Sequence, residues 1–211
     1  LPKFLFLALA AHPPKFQSTY HHLRSSIHTR TTNAYDLFDL RLALRLVCLP
    51  ERIKSFAAVL VTDHAVAFQH GLYFALWPAL LDCYVRKGGI VILCCDFPFG
   101  VTPQDFNDLL NEVDGLGWEV AGCSRSEYVK DLPPGSIRDG LPESYNWNAV
   151  TLKAEGMKPG ESWYSNARGD SAAAMAKVGE GWLGYVGNVD ADDETTKVVL
   201  RMCGLPSDEV G

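Results

Sequence analysis

The chain has 211 residues, 47% of them hydrophobic and 21% charged, with a formal net charge of −6. That is an ordinary globular composition, long enough to bury a sizeable core, and its acidic balance excludes the basic stripe that a nucleic-acid surface requires. No apolar run reaches the roughly 18 to 20 residues of a membrane span, so neither nucleic acid nor membrane is an expected partner, and a cytoplasmic setting is expected.

Lys3 followed by FLFLALAA has the look of a short secretory signal. A buried first strand, Lys3 to Ala10, fits better, because the run is short and Pro13-Pro14 ends it where a turn into a helix belongs. Phe16, Tyr20, Leu23 and Ile27 stand at helical spacing and predict a helix over 16–27. HTRTT, residues 28–32, is short and β-branched and predicts a small edge strand. Leu37, Leu40, Leu44 and Val47 share one face of a helix predicted over 35–49, which Pro50 closes. FAAVLVT, residues 56–62, is a second buried strand ending at Asp63-His64.

Next comes a helix through Leu80, Leu81 and Tyr84 to Lys87, with Pro78 in its first turn and Gly88-Gly89 as its stop. Ile90 to Cys95 is the third strong strand, apolar up to the polar tip at Cys95-Asp96. Thr102, Pro103 and Asp105 fit the N-cap, first position and first turn of a helix reaching Val113. The second half changes character. Residues 118–123 read as a strand and 130–144 as a long surface loop rich in Pro, Gly and charge. Residues 148–153, 162–165, 172–178 and 181–187 read as short strands between glycine-containing turns. Asp192 or Asp193 caps a last helix over 194–203, and Gly204 stops it. Helix, tight turn and buried strand in succession predict an α/β fold. The expected form is a flavodoxin-like three-layer sandwich with a mostly parallel central sheet, one domain over 1–211, and an antiparallel extension at 124–180. The six cysteines (48, 83, 94, 95, 123 and 203) form no C-x-x-C pair, sit mostly in apolar runs, and are expected to be buried and free. A structural zinc site is not expected.

Certain stretches resemble a known family. They are the first strand with His12 beyond it, the Thr62-Asp63-His64 strand end, Tyr84-Val85-Arg86-Lys87-Gly88-Gly89, and the late Gly184-Tyr185-Val186-Gly187-Asn188 strand. Together they are similar to the class I glutamine amidotransferase-like superfamily, nearest its trehalose-utilisation-like branch, and to uncharacterised fungal proteins with the same strand ending. The resemblance covers residues 3–122 and 181–204. It implies a parallel sheet with helices on both faces. In amidotransferase members it also implies a nucleophilic cysteine on a sharp strand-to-helix elbow, with a His and a Glu near the last strand. The elbow here falls at Cys94 or Cys95, without flanking glycines. Gly187-Asn188-Val189-Asp190 stands where the family has His-Pro-Glu, so no imidazole is there to take the thiol proton. The triad does not carry over.

Ligands of open α/β sheets bind beyond the C-terminal strand ends. That rule places His12, Asp63, His64, Cys95, Asp96 and Asn188 around one expected crevice. Cys95 reads either as a thiolate favoured by a helix N-terminus or, with Cys94, as a small core hydrophobe beside a turn-capping Asp96. His12, Asp63 and His64 read either as an acid–base or metal group or as loop residues bonded to backbone, and their spacing matches no ligand motif. The run from Asp190 through Asp192 and Asp193 lacks an EF-hand's spacing and central glycine and reads as helix capping. His21 and His22, about 100° apart on a helix, read as exposed. Trp147, Trp163 and Trp182, with Tyr145, Tyr164 and Tyr185, read as a binding wall or as core. No dinucleotide fingerprint, serine elbow or Walker sequence occurs. The expected function is a non-catalytic module that binds a small molecule or a protein, without cofactor or metal. The alternative is a hydrolase using Cys95 as nucleophile or the His12/Asp63/His64 group, and a homodimer built on the aromatic extension is a third reading.

Overall fold

The computed structural model describes residues 2–31, 33–68, 70–131 and 140–206. In chain order the elements are β1 (Lys3–Leu7), α1 (Pro13–Thr19), α2 (His21–Arg30), β2 (Asn33–Leu37), α3 (Leu40–Val47), α4 (Pro50–Ile53) and β3 (Phe56–Val61). There follow α5 (Leu76–Cys83), β4 (Ile90–Leu93), α6 (Phe97–Gly100), α7 (Pro103–Asn111), β5 (Val120–Lys130), β6 (Ser144–Leu152), β7 (Ser162–Ser165), β8 (Ser171–Val178), β9 (Gly181–Val186) and α8 (Asp193–Met202).

The three apolar runs marked in the sequence become β1, β3 and β4, side by side in a nine-stranded sheet of order β2-β1-β3-β4-β9-β8-β6-β5-β7. The pairings from β2 through β9 are parallel. Every pairing beyond β9 is antiparallel, and β7 also bonds back to β8. Strands β5, β6, β8 and β7 therefore close a four-strand barrel. This overturns the expectation of a flavodoxin-like sandwich with a mostly parallel sheet. The fold is α/β, but most of its pairings are antiparallel and part of the sheet is closed on itself. The cause lies in the length of β5, whose 11 residues outrun the short strand expected at 118–123. A long two-stranded ribbon twists strongly. Its far end, Val129 and Lys130, thereby reaches Ser165 and Tyr164 of β7, and closure removes an exposed edge.

Helices cover both faces of the parallel strands. One face buries Phe16, Leu23 and Ile27 from α1 and α2 and Val198, Val199 and Met202 from α8. The other buries Val47 of α3, Leu76 and Leu80 of α5, and Phe106 and Leu109 of α7. Each such large side chain contributes about 1.5–3 kcal/mol when fully buried. The barrel aromatics settle into the same core. Tyr145, Trp147, Trp163, Tyr164 and Tyr185 are buried, with Tyr145 stacked on Trp147 at 4.6 Å, whereas Trp182 is partly exposed beneath the Lys177 ammonium.

Several local boundaries differ from expectation for identifiable reasons. The helix over 16–27 is two helices meeting at Tyr20, and it begins at Pro13, where a missing N–H is harmless. α2 continues to Arg30, so the edge strand moves from 28–32 to β2. Thr32 lies outside the described residues. α3 begins only at Leu40, because Asp39 caps it by accepting the Leu42 N–H and Tyr35 and Leu37 are already used in β2. Thr102 and Asp192 cap α7 and α8 as the sequence implied. Gly88, at φ +102°, supplies the left-handed stop before β4. Of the loop expected at 130–144, residues 132–139 lie outside the description. All six cysteines are free, but only Cys94, Cys95 and Cys203 are buried, while Cys48 and Cys123 are exposed. Among the described residues no helix is long and apolar enough to cross a membrane.

Candidate functional site

Strands β1, β3, β4 and β9 run parallel, so the segments that follow them meet along one rim. Asp63, at the end of β3, is the tie between two of these segments. Its Oδ2 accepts the Ala10 and Ala11 N–H groups at 2.7 and 3.2 Å, and its Oδ1 accepts the Ala65 N–H at 3.0 Å. Burial pushes the Asp63 carboxyl up, and the three backbone donors pull against that shift.

After β4 the chain turns sharply at Cys95, whose φ of +62° makes it the one non-glycine residue in the left-handed region among the described residues. The turn forms without neighbouring glycines, at a cost of about 1–2 kcal/mol. The turn is held by the Asp96 N–H, which donates to the Thr62 carbonyl at 3.0 Å. The Cys95 sulfur lies 3.6 Å from that of Cys94. Burial pushes the Cys95 thiol well up, and Cys94, Asp96 and Asp63 push it further. Among the described residues no histidine is hydrogen-bonded to it. The thiol is therefore held protonated at neutral pH, with no imidazole bonded to it among the described residues.

The Asp96 side chain is exposed, and its Oδ1 accepts the Tyr20 hydroxyl at 2.6 Å. Burial, then Cys95 and Asp96, raise the Tyr20 phenol, so it acts as a fixed donor. His12 stands exposed at the start of α1, and its side chain makes no capping bond. His64 is half-buried, edge-on to Phe68 at 5.0 Å. It packs so closely on Gly100 that a Cβ there would lie 2.6 Å from its Nδ1. Asn188 is buried and fully occupied. Its Nδ2 donates to Thr195 Oγ1 at 2.6 Å and to Asp192 Oδ2 at 3.0 Å, fastening the segment after β9 to the first turn of α8. Asp192 caps that helix through the Thr195 N–H, and Asp190 lies beside Arg125.

The six expected residues thus gather at one rim but divide between two adjoining hollows. His12, Asp63, His64 and Asp96 line an open hollow of about 390 Å³, together with Lys15 and Phe99. Cys95 and Asn188 line a cleft of about 10 Å³ with Tyr20 and His22, room for about one water. Thr19 borders both. On the other side of Phe99 lies an apolar hollow of about 200 Å³, walled by Val101, Pro103, Phe106, Val120 and Val150. Sequence reasoning missed Lys15, Tyr20 and Phe99. For Lys15 a signal existed, since it follows His12 by three residues at a helix start and so shares its face. Among the described residues no cluster of three or more His, Cys, Asp or Glu side chains is placed to hold a metal.

No protein-family model and no curated protein sequence matches this chain. Solved structures do. A cytoplasmic protein of Salmonella typhimurium LT2 superposes with a TM-score of 0.64 at 12% identity, over 95% of both chains. A ThuA-like protein of Bacteroides uniformis superposes with a TM-score of 0.55 at 10% identity, over 96% of this chain and 87% of its own. The fold resembles that of ThuA-like proteins. A β-galactosidase from Bacillus circulans sp. alkalophilus matches at a TM-score of 0.60 and 13% identity over 98% of this chain, which spans only 32% of that enzyme. At these identities the likeness is one of fold.

Proposed function

We propose that this chain is a non-catalytic ligand-binding domain on a ThuA-like, amidotransferase-related scaffold, and that its ligand occupies the hollow bounded by His12, Lys15, His64 and Asp96. The state of Cys95 carries this reading. The chain turns sharply at Cys95, yet its sulfur is buried, burial pushes the thiol well up, and among the described residues no histidine is hydrogen-bonded to it. Asn188, within the Gly187-Asn188-Val189-Asp190 stretch that stands where the family has His-Pro-Glu, is committed to α8. Asp63 is engaged by three backbone donors, which leaves it a positioning role rather than that of a general base. The hollow lined by His12, Lys15, His64 and Asp96 is open to solvent and, at about 390 Å³, in the size range of small-molecule sites.

Two measurements test the proposal. Incubation with L-glutamine should release no ammonia above background. Titration with L-glutamine, D-glucose, D-gluconate and L-phenylalanine, followed by the imidazole NMR signals of His12 and His64, should show a saturable shift with at least one probe. Ammonia release that Cys95→Ser abolishes would refute the non-catalytic reading. Imidazole signals unmoved by every probe would refute the binding site.

A further inference from the structure

The wall of the larger hollow carries two opposite charges that do not meet. Lys15 and Asp96 both line it. Neither belongs to any ion pair among the described residues, so their charged atoms stand more than the 4.0 Å of a salt bridge apart. The Asp96 carboxylate has one oxygen engaged by the Tyr20 hydroxyl and the other without a hydrogen-bond partner among the described residues. The third charge of the hollow, Asp63, already accepts three backbone N–H groups. The hollow therefore offers a cation and an anion that are not paired with each other. Phe99, 71% exposed, is shared between this hollow and the apolar one, whose other walls are Val101, Pro103, Phe106, Val120 and Val150.

From this juxtaposition of split charges and an adjoining apolar hollow we infer that the site takes a zwitterionic α-amino acid with an apolar side chain. The inference rests on the binding reading above and adds the ligand's class. The ligand carboxylate meets the Lys15 ammonium and its ammonium meets the second Asp96 oxygen, both as charge-assisted hydrogen bonds. His12 and His64 add imidazole groups to the same hollow. The side chain passes over Phe99 into the apolar hollow, where it leaves water. A neutral sugar would leave both protein charges without counter-charges, and a simple organic acid would leave Asp96 without one.

The test is calorimetric titration of the intact chain with L-phenylalanine, glycine, phenylacetate, phenethylamine and D-gluconate. Lys15→Met, Asp96→Asn and Phe99→Ala are titrated beside it. All three side chains are exposed, and the asparagine oxygen still accepts from Tyr20, so the fold is kept. L-Phenylalanine should bind about tenfold more tightly than glycine, because part of its ring is buried. Lys15→Met should weaken L-phenylalanine and phenylacetate roughly 5-fold and leave phenethylamine unchanged. Asp96→Asn should weaken L-phenylalanine and phenethylamine and spare phenylacetate. Phe99→Ala should weaken L-phenylalanine and spare glycine. Unchanged L-phenylalanine affinity in both charge variants would overturn the inference. So would D-gluconate shifting the His12 and His64 signals where L-phenylalanine does not, although the binding reading would then survive. Histidine signals unmoved by every probe would remove both.

Discussion

Asp63→Ala is the most informative perturbation of the rim. The substitution removes the acceptor of three backbone N–H groups and detaches the segment after β1 from the end of β3. The Ala65 N–H is buried and would have no partner, at a cost of about 1–3 kcal/mol. The Ala10 and Ala11 N–H groups are partly buried, so water takes over some of their bonding, and each loses nearer 1 kcal/mol. Release of the buried carboxylate offsets part of this, leaving a net destabilisation of about 3 kcal/mol. That is a large share of the 5–15 kcal/mol by which folded chains are stable. Urea unfolding at pH 7 measures it. With a slope of about 2–3 kcal/mol/M, the midpoint should fall by about 1–1.5 M at unchanged slope. Amide exchange at Ala65 should speed up along with it. A loss below about 1 kcal/mol with Ala65 still protected would refute the argument that Asp63 serves as a structural tie.

Further expectations follow from the same contacts. Burial holds the Asp63 carboxyl above its ordinary 3.8, so the native chain binds that proton more tightly than the unfolded one. The stability this contributes is whole below 3.8 and is lost as pH rises through the native value. The urea midpoint of the wild type minus that of Asp63→Asn should therefore fall with rising pH across this window, and a rising difference would contradict the shift. Iodoacetamide at pH 8 should label Cys48 and Cys123 in the folded protein and reach Cys94, Cys95 and Cys203 only after denaturation, as peptide mass mapping would show. Rapid native labelling of Cys95 would return it to the list of nucleophiles. Gly181→Ala places a Cβ 2.1 Å from the Val85 carbonyl oxygen and 2.2 Å from that of Gly89. It should cost more than about 3 kcal/mol. Gly204→Ala meets nothing within 4 Å, has only its φ of +74° against it, and should cost about 1 kcal/mol. Equal thermal midpoints for the two would refute the packing argument.

The order of elements along the chain was legible in the sequence because the signals are local. Apolar runs marked β1, β3 and β4, Thr102 and Asp192 marked helix starts, and Gly88 marked a stop, each acting within a few residues of itself. The rule that ligands gather at strand ends likewise placed His12, Asp63, His64, Cys95, Asp96 and Asn188 on one rim. Their division between two hollows could not be read that way. Asp63 and Asn188 turned from candidate ligands into ties through hydrogen bonds to Ala10, Ala11, Asp192 and Thr195, whose positions depend on the folded backbone. Lys15 joined the site because of the direction in which α1 leaves β1. Barrel closure was equally hidden. It depends on Val129 and Lys130 meeting Ser165 and Tyr164, and on β7 bonding to β8. A strand's residues record which face is buried, not which distant strand supplies the next row of hydrogen bonds, and only the accumulated twist of β5 and β6 in three dimensions decided that.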